Sequence, residues 1–178
     1  MSDINQLISI IIPVFNESES IGYLLDEVIS IMAANKFNFE LIVVNDGSKD
    51  GTHRVLKQLT LKIKELSVIC LRKNYGQTAA MAAGFDHCKG DILITLDGDL
   101  QNDPNDIPKL ISEINNGYDL ICGWRFDRKD KLINRKIPSK IANKLIAHVT
   151  GLMLHDYGCS LKAFKKEIID DIKLYGEL

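Results

Sequence analysis

No apolar run in this 178-residue sequence approaches the roughly 20 residues that a helix needs to cross a bilayer. Nor does a basic stretch followed by an apolar one open it: Met1-Ser2-Asp3-Ile4-Asn5-Gln6 is polar. Neither a membrane span nor a secretory leader is expected. An excess of one charge is also missing, with 22 Lys and Arg against 24 Asp and Glu, a formal net charge of −2. The basic footprint of a nucleic-acid binder is absent, as is the basic and aromatic interleaving used on single strands, so no nucleic-acid partner is expected. Cysteine is scarce and scattered. Cys70, Cys88, Cys122 and Cys159 form no C-x-x-C pair, which argues against a zinc ribbon or a disulfide framework and fits a reduced, cytoplasmic compartment. Cys70 and Cys122 lie in apolar runs and read as small core residues. The four histidines lack metal-ligand spacing, and no glycine-rich phosphate loop of the Rossmann or P-loop kind is present.

What the sequence does have is alternation. Hydrophobic residues make up 46% and charged residues 26%, the balance of a globular domain. Ile8-Ser9-Ile10-Ile11-Ile12-Pro13-Val14 is nearly continuous and β-branched, as a strand buried on both faces should be. Asn16 followed by Glu19 offers a capping box, and Ile21, Leu24, Leu25, Val28, Ile29 and Met32 recur at helical spacing. Further strands are expected at Leu41-Ile42-Val43-Val44, Val68-Ile69-Cys70-Leu71, Ile92-Leu93-Ile94-Thr95-Leu96 and Leu120-Ile121-Cys122-Gly123-Trp124. Helices carrying Val55, Leu56 and Leu59, then the Ala-rich residues 78–88, then Ile107, Leu110 and Ile111 fall between them. After Trp124 a basic stretch runs over residues 125–140, a helix is expected beyond Pro138, and a short strand over residues 160–164. Such alternation predicts an α/β fold with a mostly parallel central sheet flanked by helices, residues 1–178 forming a single domain. The chain stops at Tyr175-Gly176-Glu177-Leu178 without a capping element, which suggests truncation at the C-terminus.

Ligands of open α/β sheets bind beyond the carboxyl ends of the strands. The informative residues fall there: Pro13-Val14-Phe15-Asn16-Glu17, Asn45-Asp46-Gly47, Arg72-Lys73-Asn74-Tyr75-Gly76 and Asp97-Gly98-Asp99-Leu100-Gln101. Two carboxylates flanking a glycine after a buried strand are costly unless a positive partner meets them. Mg²⁺ or Mn²⁺, which prefer hard oxygen ligands and bridge carboxylates to diphosphates, is the natural partner, with Gln101 able to add an oxygen. A lone D-x-D also fits a polar turn ahead of Pro104, and Asn45-Asp46-Gly47-Ser48 also fits a strand-to-helix turn with Asp50 as N-cap. The basic stretch reads either as a solvated face or, because Arg125 follows a strand end, as a phosphate or anionic-membrane patch.

Taken in order, Ile11-Ile12-Pro13-Val14-Phe15-Asn16-Glu17, Asn45-Asp46-Gly47-Ser48-x-Asp50-Gly51, Asn74-Tyr75-Gly76-Gln77 and Asp97-x-Asp99-Leu100-Gln101 resemble family 2 glycosyltransferases of GT-A fold. Arg125 and Asp156-Tyr157-Gly158-Cys159 bring the likeness closer to the polyprenyl-phosphate (dolichol- and undecaprenyl-phosphate) glycosyltransferases. The resemblance covers nearly the whole chain. It implies an inverting, metal-dependent transfer of a sugar from a nucleotide-diphosphate sugar to a polyprenyl phosphate in cell-envelope synthesis, at the inner face of the cell membrane. It places Pro13, Phe15, Glu17, Asp46, Asp97 and Gly98 around the donor, with Glu17 near the ribose and Asp46 accepting from the base. Asp97, Asp99 and Gln101 fall to the metal, Arg125 and Arg135 to the acceptor phosphate or donor diphosphate, and Asp156, with Asp99 and Arg125, to the reacting centre. A homo-oligomer is compatible with it. Two other functions fit the same residues: transfer to a saccharide hydroxyl, where Asp156 would serve as general base, and an inactive nucleotide-binding module.

Overall fold

The computed structural model describes residues 6–124 and 159–170. The expected alternation is there: β1 (Leu7–Val14), α1 (Ile21–Ala34), β2 (Asn38–Asn45), α2 (Thr52–Leu59), β3 (Leu66–Cys70), α3 (Gln77–Phe85), β4 (Ile92–Thr95), a 3₁₀ turn (Pro104–Asp106), α4 (Ile107–Asn115), β5 (Leu120–Cys122), β6 (Lys162–Lys165) and a short α5 (Lys166–Asp170). Six strands form one sheet in the order β3-β2-β1-β4-β6-β5. β1 pairs in parallel with both β2 and β4, and β2 with β3. β6 inserts antiparallel between β4 and β5. The sheet is thus mostly parallel, with one reversed strand far along the chain from its neighbours.

β1 is buried along nearly its whole length because helices cover both faces of the sheet. Ile8, Ile10, Ile12 and Val14 pack with α1, Leu56 of α2 and Ile107, Leu110 and Ile111 of α4. Ile11 faces the other way, with Ile42, Val44 and Leu93, onto Ala80 of α3 and Ile169 of α5. The period of two along the strand sorts its side chains between the two layers. The chain order reverses at β1, which is flanked by β2 on one side and β4 on the other. In open α/β sheets that reversal opens a crevice at the carboxyl ends of the strands. Among the described residues no helix is long and apolar enough to cross a membrane.

Three local expectations are corrected. Asn16 is not an N-cap: it adopts φ +59°, its side-chain oxygen accepts from the Lys49 amide, and α1 begins after Ser20 with no side-chain cap. Cys70 is exposed and Cys122 only half-buried, because β3 and β5 are the two edge strands and leave one flank of each uncovered. Cys70 Sγ lies 3.5 Å from His53 Nδ1. The strand expected at residues 160–164 is shifted to Lys162–Lys165. The basic stretch over residues 125–140 and the helix beyond Pro138 lie outside the described residues.

Candidate active site

The loops after β1 and β2 are laced together by side chains that the turn-forming sequence supplies. Ser48 Oγ accepts from the Asn16 amide at 2.9 Å, and Asn45 Oδ1 accepts from the Ser48 amide at 3.0 Å. Asp50 accepts from the amide and hydroxyl of Thr52 and from the amide of Ser18. The Thr52 hydroxyl, helped by the Thr52 and Ser18 amides and opposed by burial, holds the Asp50 carboxyl well below the usual carboxylate range. The Thr52 hydroxyl oxygen also accepts from the Glu17 amide at 2.8 Å, and the Glu17 carboxylate accepts from the Ser20 hydroxyl. Gly47 has φ +66°, and a Cβ there would stand 2.3 Å from the Lys73 carbonyl carbon. Only glycine lets the β2 turn pass so close beneath the β3–α3 loop.

Asp46, 3% exposed, does the same joining work at greater depth. One carboxylate oxygen accepts from the Tyr75 amide at 2.8 Å and the other from the Gly76 amide at 2.9 Å. Those bonds fix Gly76, with φ +93°, the residue that immediately precedes α3. The next residue, Gln77, donates its side-chain amide to Asp97 Oδ1 at 2.6 Å. From Asp46 to Asp97, the first carboxylate of the D-x-D pair, the connection therefore runs through one loop. Sequence reasoning placed Gln77 in a motif but gave it no role; a polar side chain at the first residue of a helix facing the carboxyl ends of β1 and β4 is the signal that would have found it.

Pro13, Phe15, Glu17, Asp46, Asp97, Gly98 and Asp99 line one cleft of about 360 Å³ with Asn74, Gly76 and Gln77. Every residue expected around the donor is in it. Gly98 is pressed onto β1: a Cβ would lie 2.7 Å from Val14 Cγ1. Asp97 is half-buried and Asp99 exposed at the mouth. Gln101 is not among the residues lining the cleft; its backbone amide donates to Asp99 Oδ1 at 3.1 Å, across Leu100 with φ +61°. Arg125, Arg135 and Asp156 lie outside the described residues.

Among the described residues no three His, Cys, Asp or Glu side chains gather as a self-sufficient metal cage. Two carboxylates at a cleft mouth are nonetheless the protein share that Mg²⁺ and Mn²⁺ take when substrate phosphates and water complete the shell. Each carboxylate is steadied through Oδ1 by an amide donor, and a carboxylate has about four lone-pair sites, enough for an amide and a cation together. The donor set fits such a cation.

A model of the glycosyl transferase family 2 matches residues 9–173. The chain is 47% identical over 173 residues to dodecaprenyl-phosphate galacturonate synthase of Rhizobium johnstonii, covering 96% of this chain and 51% of that protein. It is 40% identical over 164 residues to undecaprenyl-phosphate 4-deoxy-4-formamido-L-arabinose transferase of Pseudomonas fluorescens, covering 92% and 48%. The chain thus spans about half the length of these relatives. Glucosyl-3-phosphoglycerate synthase of Mycobacterium tuberculosis, solved with UDP, superposes with a TM-score of 0.73 at 21% identity, covering 94% of this chain and 60% of that one. The same enzyme with Mn²⁺, UDP and phosphoglyceric acid gives 0.73 at 20% identity, covering 94% and 58%. The fold shared with these structures is GT-A, and the chain belongs to glycosyl transferase family 2.

Proposed function

We propose that this chain is the catalytic domain of an inverting transferase that moves a sugar from a nucleotide-diphosphate sugar to a polyprenyl phosphate at the inner face of the cell membrane. The carrying observation is the single cleft that unites Pro13, Phe15, Glu17, Asp46, Asp97, Gly98 and Asp99. The two relatives named above, whose names specify dodecaprenyl- and undecaprenyl-phosphate, support the acceptor class.

In this reading the nucleoside lies against Pro13 and Phe15, with Glu17 toward the ribose and Asp46 beneath the base. Asp46 spends one lone pair of each oxygen on the β3–α3 loop and keeps others for a ligand. Asp97 and Asp99 would hold Mg²⁺ or Mn²⁺, with Gln101 reaching it only through a side-chain excursion toward the cleft. A bound cation supplies charge neutralisation of the departing diphosphate. An acceptor-phosphate oxygen attacks the anomeric carbon, the bond from that carbon to the diphosphate oxygen breaks, and the nucleoside diphosphate leaves with the electron pair. The acceptor phosphate is already ionised near neutral pH, so positioning and charge stabilisation carry more of the rate than proton abstraction. Arg125 and Arg135 are assigned to the acceptor phosphate and Asp156 to orienting it or stabilising positive charge at the sugar.

The test is a nucleotide-sugar panel with and without Mn²⁺, read by thermal stability, followed by transfer to a short polyprenyl phosphate or to a saccharide. Metal-dependent stabilisation by one donor and transfer to the lipid phosphate are expected. Absence of any nucleotide effect, or transfer to the saccharide alone, would overturn the reading. Undiminished metal-dependent donor binding by Asp99→Ala would remove Asp99 from the metal site.

A further inference from the structure

Gln77 and Asp97 line a second cleft as well as the first. It has a volume of about 350 Å³ and runs between α3 and β6 on the far side of that pair. Its two walls grade in the same direction. On β6 and the residues leading into it, Ser160, Lys162 and Phe164 alternate onto one face, from the carboxyl-end rim of the sheet inward. On α3, Gln77 stands at the rim and Met81 and Phe85 follow at helical spacing. Phe85 and Phe164 meet edge to face at 6.0 Å and form the inner end. The mouth is therefore polar and the depth apolar.

The mouth presents donors. Asn102, 6% exposed, donates its amide to Ser160 Oγ at 2.7 Å, and its carbonyl oxygen accepts from the Cys159 thiol at 3.5 Å. A hydroxyl oxygen that accepts from an amide keeps its own proton to give. The Thr95 hydroxyl holds the Ser160 carbonyl at 2.6 Å and pins the rim of this wall to β4. Lys162, paired with Thr95 across the ladder, is the one cation among the described residues of the cleft. The first-turn amides of α3 point their positive ends toward the same rim.

We propose that this second cleft receives the phosphate and first isoprene units of the lipid acceptor, with Lys162 and the Ser160 hydroxyl on the phosphate and Met81, Phe85 and Phe164 against the chain. The inference rests on the proposed function and adds a place for the acceptor: Gln77 and Asp97 form the partition across which donor and acceptor meet. An ammonium and a hydroxyl suit a phosphate monoester, and the apolar wall behind them excludes a polyhydroxylated saccharide on grounds of desolvation.

The experiment is steady-state transfer by the full chain with farnesyl phosphate as acceptor, for wild type, Lys162→Met, Lys162→Arg and Phe164→Ser. Lys162→Met is expected to raise the acceptor KM by about tenfold or more, the loss of a charged hydrogen bond, while the donor KM stays within about twofold and Lys162→Arg restores most of it. Phe164→Ser is expected to raise the farnesyl phosphate KM but not the inhibition constant of inorganic phosphate. Metal-dependent thermal stabilisation by donor, measured on each variant, reports that the fold and first cleft are intact. If wild type transfers to farnesyl phosphate and Lys162→Met leaves the acceptor KM unchanged, or raises the donor KM instead, the second cleft is not the acceptor site and the proposed function stands. If wild type uses only a saccharide acceptor, the proposed function itself fails.

Discussion

Gly98→Ala tests whether the D-x-D turn is seated by contact with β1. A Cβ at residue 98 would stand 2.7 Å from Val14 Cγ1, 3.4 Å from Glu17 Cγ and 3.5 Å from the Pro13 carbonyl oxygen. Carbon atoms settle at about 3.5–4.0 Å, so the Val14 methyl must withdraw by about 1 Å. Val14 is 2% exposed and β-branched, with stiff χ1, and it ends the central strand. It has little room to turn, so the strain passes to the end of β1 or to the Asp97–Asp99 turn. Overpacking of this kind costs about 1–3 kcal/mol, and each kcal/mol lowers the midpoint by about 2–4 °C in a domain of this size. Because the turn carries both carboxylates, metal-dependent nucleotide affinity should fall as well. Urea denaturation of wild type, Gly98→Ala, Val14→Ala and the double variant forms a thermodynamic cycle. Removing the two Val14 methyls makes room for the alanine, so the double variant should be more stable than the sum of the single losses by about 1 kcal/mol or more. Strict additivity, or a Gly98→Ala protein within about 0.5 kcal/mol of wild type, would refute the packing argument.

Three other perturbations follow from the site. Asp46→Ala strips the acceptor from two backbone amides, and at about 1.5–3 kcal/mol per bond to a charged group the domain should lose roughly 3–5 kcal/mol by chemical denaturation; a loss below about 1 kcal/mol contradicts the assigned bonds. Gln77→Ala removes the donor that orients Asp97, and partners of this kind weaken metal binding by about 10–100-fold when lost; calorimetric titration of Mn²⁺ into the nucleotide-bound protein should show a change near the lower end, and an unchanged affinity would separate Gln77 from the cation. Asp50 has a carboxyl held below its ordinary value, so its stabilisation is present above the unfolded pKa, about 3.9, and is lost as pH falls through the lower folded value. Asp50→Asn should therefore be less stable than wild type by a constant margin from pH 7 to about pH 5, with the gap closing only in stronger acid; a gap that widened toward low pH would reverse the sign and refute the assignment.

The first cleft was legible because its signals are local. A buried strand such as Ile8–Val14 announces itself by composition, and the polar residues after it must stand at its carboxyl end. Seven residues chosen that way share one cleft. What was not legible depends on distant pairing. β6 comes from residues 162–165 yet lies beside β4, residues 92–95, and its register, with Phe164 opposite Leu93 and Lys162 opposite Thr95, decides that Lys162 and Phe164 face α3. Cys70 sits in an apolar run, but its exposure depends on β3 being an edge strand, a property of strand order alone. The Asn16–Glu19 spacing satisfies a capping box, yet the Lys49 amide claims the Asn16 side chain, because the β1–α1 and β2–α2 loops are neighbours only in the fold. Local chemistry offered two uses for that side chain, and tertiary contact chose between them.

The same distinction explains why the two ends of the first cleft are joined as they are. Asp46 and Asp97 are 51 residues apart in sequence, on strands separated in the sheet by β1. The β3–α3 loop does the joining, with Tyr75 and Gly76 tied to Asp46 and Gln77 tied to Asp97. A loop that is clamped at one end by buried bonds and offers an exposed side chain at the other gives the mouth a defined geometry without enclosing the Asp97 and Asp99 carboxylates, whose full burial would be costly. In the proposed function, rigidity falls where the nucleotide would be recognised, and solvent access where the phosphates and their counter-ion would enter and leave. Gln77 belongs to both clefts, so the order set by Asp46 reaches the partition between them, which is where a transferase needs its two substrates held in register.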